Sequence, residues 1–311
     1  SIVFSSHENG INPPMRQQKH IIFIPGKNPK PPCSQHKQQL WRCMLEGINR
    51  AAPSMHPPKE HQFHLINWNH IFYNKDKDIS IDLPWIDKLI HTHAPGELDI
   101  RLANHWHIRF ARFLYNVIDQ FHFLVPFIPN QKIKQNILET DRYFHNLDNI
   151  ANQIRSYTKS TIIPLLEQKH KLLIVGHSMG SIIAYDTLWE LSHIEKLAFK
   201  VDFLSMGSPL GVRLIQKHLR GFQESGRRRY PLNIRNWYNI SAVGDLTSLD
   251  VELCDDFTEM IQLGLVNNIE DHCHDIYNYF RNHEGLNVHR SYGYLVNPAT
   301  GMLIANWLSQ D

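Results

Sequence analysis

The residues best suited to covalent chemistry lie in the segment GHSMG at 176–180, which matches the pattern G-x-S-x-G. The aliphatic run Lys171–Val175 precedes it and a helical pattern of apolar residues follows it, which predicts a sharp strand-to-helix turn at Ser178. Small residues two positions before and after the serine avoid clashes in such a turn, and the turn lifts the hydroxyl clear of the sheet. The start of a helix also favours negative charge. Ser178 is therefore predicted to be a nucleophile.

The sequence around this serine resembles the α/β-hydrolase superfamily, especially its lipase and serine-esterase branches. The segment HSMGS at 177–181 is a common lipase form of the turn. The segment FLSMGSPL at 203–210 is similar to the strand and turn that follow it in many lipases. The likeness extends from His20 to the C-terminus and is weakest over residues 70–145. The resemblance implies an α/β-hydrolase fold whose chemistry needs no metal.

A serine hydroxyl needs a base within hydrogen-bond reach to act as a nucleophile near neutral pH. In the superfamily that this chain resembles, the order along the chain is serine, then an acid, then histidine. His289 is the predicted base, because it lies in a loop-like stretch shortly before the C-terminal helix pattern. His272, His274 and His283 are the alternatives.

Asp245 is the predicted acid, because its strand ends in the residues AVGD and places the carboxylate at the carboxyl end of the strand. Open α/β sheets build their sites at that edge. The carboxylate would hold the histidine tautomer and stabilise the imidazolium formed during attack. Asp202 begins its strand and should face the opposite rim, whereas Asp250, Asp255 and Asp256 remain alternatives.

Acyl transfer also needs two backbone N–H groups that point at the developing oxyanion. Met179, directly after the nucleophile, is predicted to supply one of them. Lys27 is predicted to supply the other, since the loop PGKN at 25–28 follows the first central strand and contains a glycine that lets the backbone approach. Many members of the superfamily have His-Gly where this chain has Pro25 and Gly26. A solvated Lys27 side chain and one that meets an anionic substrate group are both open.

Short aliphatic runs that end abruptly in turn residues are typical of buried parallel strands. Helical periodicity fills the gaps, and near the end Asn297 and Pro298 form an N-cap followed by proline at the first helical position. This alternation predicts an α/β fold with a mostly parallel central sheet flanked by helices. The predicted strands are His20–Ile24, Phe63–Asn67, Lys171–Val175, Val201–Ser205 and Asn236–Val243.

About a hundred residues separate the second and third predicted strands, more than one βα connection needs. We expect a single domain over residues 1–311 with a helical insertion at 75–145. Residues 110–125 of the insertion form one apolar helical stripe, in which polar and charged residues argue against a transmembrane span. A packed extra helix, a cap or lid over the active site, and an amphipathic surface for peripheral membrane contact all fit the spacing.

Composition narrows the classes of function. Hydrophobic residues make up 42% and the formal net charge is +2, so we expect a folded protein that does not bind nucleic acid. The four cysteines are too sparse for a disulfide framework and fit a reducing, cytoplasmic location. The first residues lack a signal-peptide pattern, although a removed targeting segment stays open because residue 1 is not Met. The histidines show no metal-binding motif, and we expect no metal or other cofactor.

These features together predict serine-dependent hydrolysis of a carboxylic ester through an acyl-enzyme. The aromatic-rich insertion favours a small-molecule or lipid ester, or an acyl thioester, as substrate. An acyltransferase with the same triad is one alternative, and a non-catalytic binding or membrane-docking protein is another. The complete set of Ser178, Asp245 and His289 argues against the non-catalytic alternative.

Overall fold

The computed structural model describes residues 16–105, 139–248 and 252–311. Its strands are β1 (Lys19–Ile24), β2 (Phe63–Leu65), β3 (Lys171–His177), β4 (Val201–Met206), β5 (Ile234–Ile240) and β6 (Asn268–His272). They form one six-stranded sheet in the order β2-β1-β3-β4-β5-β6, and every neighbouring pair is parallel. A short antiparallel pair, β7 (Arg281–Asn282) and β8 (Gly285–Leu286), lies outside it.

Helices flank the sheet on both faces. The longer ones are α1 (Cys33–Ala51), α5 (Ile150–Glu167), α6 (Met179–His193) and α11 (Pro298–Ser309). The shorter ones are α2 (Trp68–Tyr73), α3 (Leu83–Ile90), α4 (Glu97–Ala103), α7 (Arg213–Gln216), α8 (Leu253–Asp256), α9 (Thr258–Gln262) and α10 (Ser291–Leu295). The predicted α/β fold class, a mostly parallel sheet flanked by helices, is confirmed.

The core is divided by the sheet because successive side chains of a strand point to opposite faces. In β1, Ile21 and Phe23 pack into the apolar layer that contains α1 and α11. Ile22 and Ile24 pack into the opposite layer, which contains α5 and α6. Strands buried on both faces are therefore nearly continuous apolar runs, which is why they could be recognised in the sequence.

All five predicted strands are present, with small differences at their ends. β3 continues through Gly176 and His177, which pair with β4 opposite Ser205 and Met206. The sixth strand, β6, was not predicted. The predicted cap of the last helix is also present, since the Asn297 side chain accepts a hydrogen bond of 2.9 Å from the N–H of Ala299.

Where the predicted insertion at 75–145 is described, it contains the helices α3 and α4 and a helical segment at 139–144. The stripe predicted at 110–125 lies outside the described residues. Beyond the insertion, α2 packs against α5, so the chain leaves and rejoins the fold at neighbouring points. Within the described ranges, none of the helices has the length and apolar character needed to cross a membrane.

Candidate active site

Ser178 occupies a sharp turn between β3 and α6, at the carboxyl end of the central sheet. Its backbone has φ 55° and ψ −125°, a conformation that costs a non-glycine residue about 1–3 kcal/mol. The surrounding hydrogen bonds hold it there: the Ser178 N–H donates to Met206 O at 3.0 Å, and its carbonyl accepts from Ser181 Oγ at 2.6 Å. The serine thus has the strained strand-to-helix geometry that the sequence predicted.

The two glycines of the turn are required by close approach of the backbone. A Cβ at Gly176 would lie 2.6 Å from Ser181 Cα, and one at Gly180 would lie 2.0 Å from the carbonyl oxygen of Ile24. Neither neighbour is a movable side chain, so larger residues would displace α6 from the ends of β1 and β3. The G-x-S-x-G spacing therefore has a direct steric cause in this fold.

Asp245 and His289 are in contact at the same edge of the sheet. His289 Nδ1 lies 2.8 Å from Asp245 Oδ2, and the Asp245 side chain is fully buried. The Thr247 N–H donates to the other carboxylate oxygen at 3.0 Å. Because a carboxylate accepts, Nδ1 carries the hydrogen and neutral His289 keeps a lone pair on Nε2. This is the tautomer that a general base for a serine needs.

Tyr294 is a further partner of Asp245 that the sequence analysis did not single out. Its hydroxyl donates to Asp245 Oδ2 at 2.5 Å and accepts from the N–H of Ala242 at 3.0 Å. Burial and the neighbouring Asp245 charge raise the pKa of Tyr294 well above its ordinary value, so it stays a hydrogen-bond donor. Tyr294 therefore fixes the carboxylate that orients His289.

Gly207 leaves space for the contact between Asp245 and His289. It has φ +52°, and a Cβ there would lie 2.6 Å from Asp245 Oδ2 and 3.2 Å from His289 Nδ1. The glycine belongs to the SMGSP turn that follows β4, one of the segments that carried the resemblance. The absence of a side chain at Gly207 therefore leaves room for Asp245 and for both of its side-chain partners, Tyr294 and His289.

His177 immediately precedes Ser178 and forms a hydrogen bond to the backbone of the loop that contains His289, the predicted base. Its Nε2 lies 2.6 Å from the carbonyl oxygen of His289, and since a carbonyl only accepts, Nε2 carries the hydrogen. Burial lowers the pKa of His177 well below its ordinary value, and the nearby His289 and Lys30 act in the same direction. A neutral His177 therefore links the start of the serine turn to the backbone of the histidine loop.

Ser178 and His289 line one cavity of about 1030 Å³ but make no hydrogen bond with each other. His289 Nε2 instead lies 3.4 Å from Thr247 Oγ1. Catalytic hydrogen bonds are often long in a site without substrate and tighten when substrate binds. The geometry thus brings the three predicted triad residues to one site, with the Asp–His contact formed and the Ser–His contact still open.

The loop after β1 is clamped against the serine turn. The Gly26 carbonyl accepts from Asn69 Nδ2 at 2.6 Å, and the Pro25 carbonyl accepts from Trp68 Nε1 at 2.7 Å. In a trans peptide the next N–H points opposite to the carbonyl, so the Lys27 N–H points away from Asn69. Gly26 borders the predicted nucleophile, since a Cβ there would lie 3.0 Å from Ser178 Cβ. This orientation favours the predicted oxyanion role of Lys27.

Met179 begins α6, so its N–H has no acceptor within the helix and can face a ligand. The Lys27 side chain lines the cavity, where its Nζ lies 3.7 Å from Glu139. Burial lowers the pKa of Lys27 to about 8, although Glu139 acts in the opposite direction. The sequence left open whether the Lys27 side chain is solvated. In the structure it lines the cavity and forms an ion pair with Glu139.

The alternative residues lie elsewhere or outside the described ranges. The cavity lining includes His289 but not His272, His274 or His283. Asp202 lies at the opposite rim, as expected, where Arg235 Nη2 contacts it at 2.5 Å. Among the other alternative acids, Asp255 and Asp256 lie on α8, whereas Asp250 falls outside the described residues.

The described residues contain no group of three or more histidine, cysteine or acidic side chains that could hold a metal ion. No disulfide joins the four cysteines, all of which lie in the described ranges. Comparison of the chain with protein-family models, curated proteins and solved structures gave no match. Support for a function therefore comes from the geometry of the site.

Proposed function

We propose that the protein is a serine hydrolase of the α/β-hydrolase type that cleaves carboxylic esters through an acyl-enzyme. The observation that carries the proposal is the contact of 2.8 Å between His289 Nδ1 and buried Asp245, at the cavity that His289 lines together with the strained Ser178. The parallel sheet order, with the serine turn at the end of the central strand β3, supports the family assignment.

In the first step, Ser178 Oγ attacks the ester carbonyl while its proton passes to His289 Nε2. The ring becomes an imidazolium, which Asp245 stabilises through the hydrogen bond at Nδ1. Thr247 Oγ1, at 3.4 Å from Nε2, is a weak partner that the serine hydroxyl can replace. The strained backbone of Ser178 favours a single position of the hydroxyl, so little reorganisation precedes attack.

The tetrahedral intermediate places a negative charge on the former carbonyl oxygen. The N–H groups of Met179 and Lys27 would stabilise this oxyanion, each contributing about 3 kcal/mol. His289 then donates its proton to the departing alcohol, and the C–O bond of the ester breaks. Water attacks the acyl-enzyme with His289 again as base, which releases the acid and restores Ser178.

The proposal is tested by the intact mass of the protein after reaction with a fluorophosphonate, which labels activated serines. We expect one adduct on the wild-type chain, located at Ser178 by peptide mapping, and no adduct on Ser178→Ala. Ser291→Ala is the matched control, since Ser291 lines the same cavity and is only 6% exposed but is not the predicted nucleophile. Circular dichroism should show that both variants fold.

An adduct that survives in Ser178→Ala would assign the nucleophile to another residue. A wild-type chain that takes up no label at all would contradict an assembled serine site. If labelling occurs as expected, 4-nitrophenyl esters of increasing acyl length should be hydrolysed by the wild type and by Ser291→Ala but not by Ser178→Ala.

A further inference from the structure

The cavity beside Ser178 is lined by three basic residues, Lys30, Lys77 and Arg290, and by the acidic Asp82. We call these four residues the basic cluster. Lys77 Nζ lies 2.9 Å from Asp82 Oδ2, and Arg290 Nη2 lies 2.8 Å from the same oxygen. Burial alone would raise the pKa of Asp82, but Arg290 and Lys77 outweigh it and hold that pKa below its ordinary value. One ionised carboxylate, that of Asp82, therefore forms ion pairs with two cations.

Lys30 is the member of the basic cluster that the carboxylate does not neutralise. Across the described ranges, Lys30 has no carboxylate within ion-pair distance, whereas Lys77 and Arg290 share Asp82 and Lys27 pairs with Glu139. Burial lowers the pKa of Lys30 to about 7, and the charges of Arg290 and Lys77 add to this effect. A bound anion would relieve both unfavourable contributions.

The backbone holds Lys30 in place. Pro29 and Pro31 flank it and restrict the chain on both sides. The Lys30 carbonyl accepts a hydrogen bond of 2.9 Å from the N–H of Lys77, which joins this loop to the start of the insertion. A backbone that is fixed before the ligand arrives leaves less of the chain to be ordered on binding than a mobile loop would.

The basic cluster lies beside the reacting groups. The charge of Lys30 contributes, after burial, to the low pKa of two cavity-lining histidines, His36 and His177, and His177 immediately precedes the nucleophile. His36 is 2% exposed and its Nδ1 is buried without a hydrogen-bond partner in the described structure. Lys30 therefore sits among polar groups whose hydrogen bonds are incomplete.

Arg290 supplies the second part of the site. Its guanidinium lies over two aromatic rings, with Cζ 4.9 Å from the Phe280 centroid and 5.3 Å from the Tyr292 centroid. These contacts fix the plane of the group, and Asp82 engages Nη2. A guanidinium has five N–H donors, so others remain for a second acceptor.

We propose that Lys30 and Arg290 form a subsite for an anionic group, a carboxylate or a phosphate, on the ester that Ser178 attacks. The inference rests on the proposed function and specifies its substrate class. The substrate would be an ester whose negatively charged group is close enough to the scissile carbonyl for both to fit in this cavity. The cavity of about 1030 Å³ is large enough for both parts of such a molecule.

The first test is direct binding of inorganic phosphate and of glutarate to the full chain by titration calorimetry. We expect at least one of them to bind the wild type, and Lys30→Met to weaken its Kd at least tenfold. Lys75→Met is the matched control, because Lys75 lines the same cavity but is exposed, and its Kd should stay within twofold. Lys30→Arg, which keeps the charge, should stay within about threefold of the wild type.

The second test compares neutral and anionic esters of equal length. One pair is 4-nitrophenyl valerate and 4-nitrophenyl hydrogen glutarate, and the other is 1-octanoyl glycerol and its 3-phosphate. In at least one pair, we expect kcat/KM of the wild type to favour the anionic member at least tenfold, and Lys30→Met to remove that preference. Preference in the first pair places a carboxylate on the acyl side, and preference in the second places a phosphate on the alcohol side.

The two proposals fail in different ways. Three results would overturn the anionic subsite: no anion binding, equal weakening in Lys30→Met and Lys75→Met, or equal kcat/KM within both ester pairs. Labelling of Ser178 and turnover of esters would still support the proposed hydrolase in each of these cases. Conversely, Lys30-dependent anion binding with no labelling of Ser178 and no turnover of any ester would overturn the proposed function. It would also overturn the assignment of this subsite to an ester.

Discussion

Replacement of Asp245 by asparagine is the sharpest test of how the site works. The Asp245 carboxylate is fully buried and accepts hydrogen bonds from His289 Nδ1, Tyr294 and the N–H of Thr247. Asparagine has nearly the same shape, so the fold should be retained. It has only one acceptor oxygen, however, and therefore cannot satisfy the same set of donors.

The size of the effect follows from which atom asparagine places opposite the histidine. If its oxygen keeps the bond to the Thr247 N–H at 3.0 Å, its NH₂ group falls at the position 2.8 Å from His289 Nδ1. Two N–H donors cannot face each other, so the ring takes the tautomer with the hydrogen on Nε2. That nitrogen can no longer accept the proton of Ser178. The wrong tautomer costs about 10⁴-fold in turnover, or about 5.5 kcal/mol of transition-state stabilisation.

The assay is kcat for 4-nitrophenyl butyrate at neutral pH, with circular dichroism to confirm the fold. Asp255→Asn is the control, because Asp255 is an exposed aspartate on α8 and one of the alternative acids from the sequence. It should retain wild-type turnover. Turnover of Asp245→Asn within tenfold of the wild type would refute the tautomer argument, and a larger loss in Asp255→Asn would assign the acid to α8.

Three further predictions concern the support of the site and the acid stability of the fold. Tyr294→Phe removes one of the three donors to Asp245 and leaves the Ala242 N–H without its acceptor. Urea unfolding should show a loss of about 1–3 kcal/mol, and an unchanged midpoint would contradict it. Gly207→Ala would place a Cβ 2.6 Å from Asp245 Oδ2; kcat should fall about 10²-fold, whereas wild-type kcat would show that the pair tolerates displacement. Burial, followed by the charges of neighbouring histidines, lowers the pKa of His20 to about 4 in the folded chain. The unfolded chain takes up that proton near 6.5, so His20 alone should lower stability by about 3 kcal/mol between pH 7 and pH 4. His20→Asn should reduce the pH dependence by about that amount and leave the part due to other buried histidines such as His36 and His177, and an equally steep dependence would contradict the assignment to His20.

The elements recognised from the sequence are those whose local signals agree with their environment. β1, β3 and β4 are buried on both faces, and most of their residues are apolar. Ser178 could be placed because its turn needs glycine at two fixed positions, for the steric reasons seen at Gly176 and Gly180. The choice of Asp245 and His289 followed from a strand end and from the chain order of the superfamily that the sequence resembles. In the structure His289 lines the cavity of Ser178 and contacts the buried Asp245.

The features that were missed depend on contacts that no local pattern contains. β6 has the sequence NIEDH, and only Ile269 of its five residues is buried because it is an edge strand. Its Asp271 accepts from the N–H groups of Leu253 and Cys254 instead of filling a core. Tyr294 lies in the stretch that the sequence indicated as loop-like, and in the structure it is three residues past the start of α10. Nothing in its neighbouring residues marks its hydroxyl as a partner of Asp245.

The way the chain enters and leaves the insertion would allow the insertion to change in evolution independently of the residues outside it. α2 and α5 pack against each other, and the Arg142 side chain donates to the Phe72 carbonyl at 2.8 Å, so the junctions hold together on their own. Lys77 and Asp82 belong to the insertion and reach the cavity, whereas the triad residues come from outside it. Under the proposed function, changes in length or composition over 75–145 would alter which esters enter the cavity while Ser178, Asp245 and His289 stay in place. Selection on substrate range and selection on rate would then act on different stretches of one gene, and divergence should be greatest across the insertion.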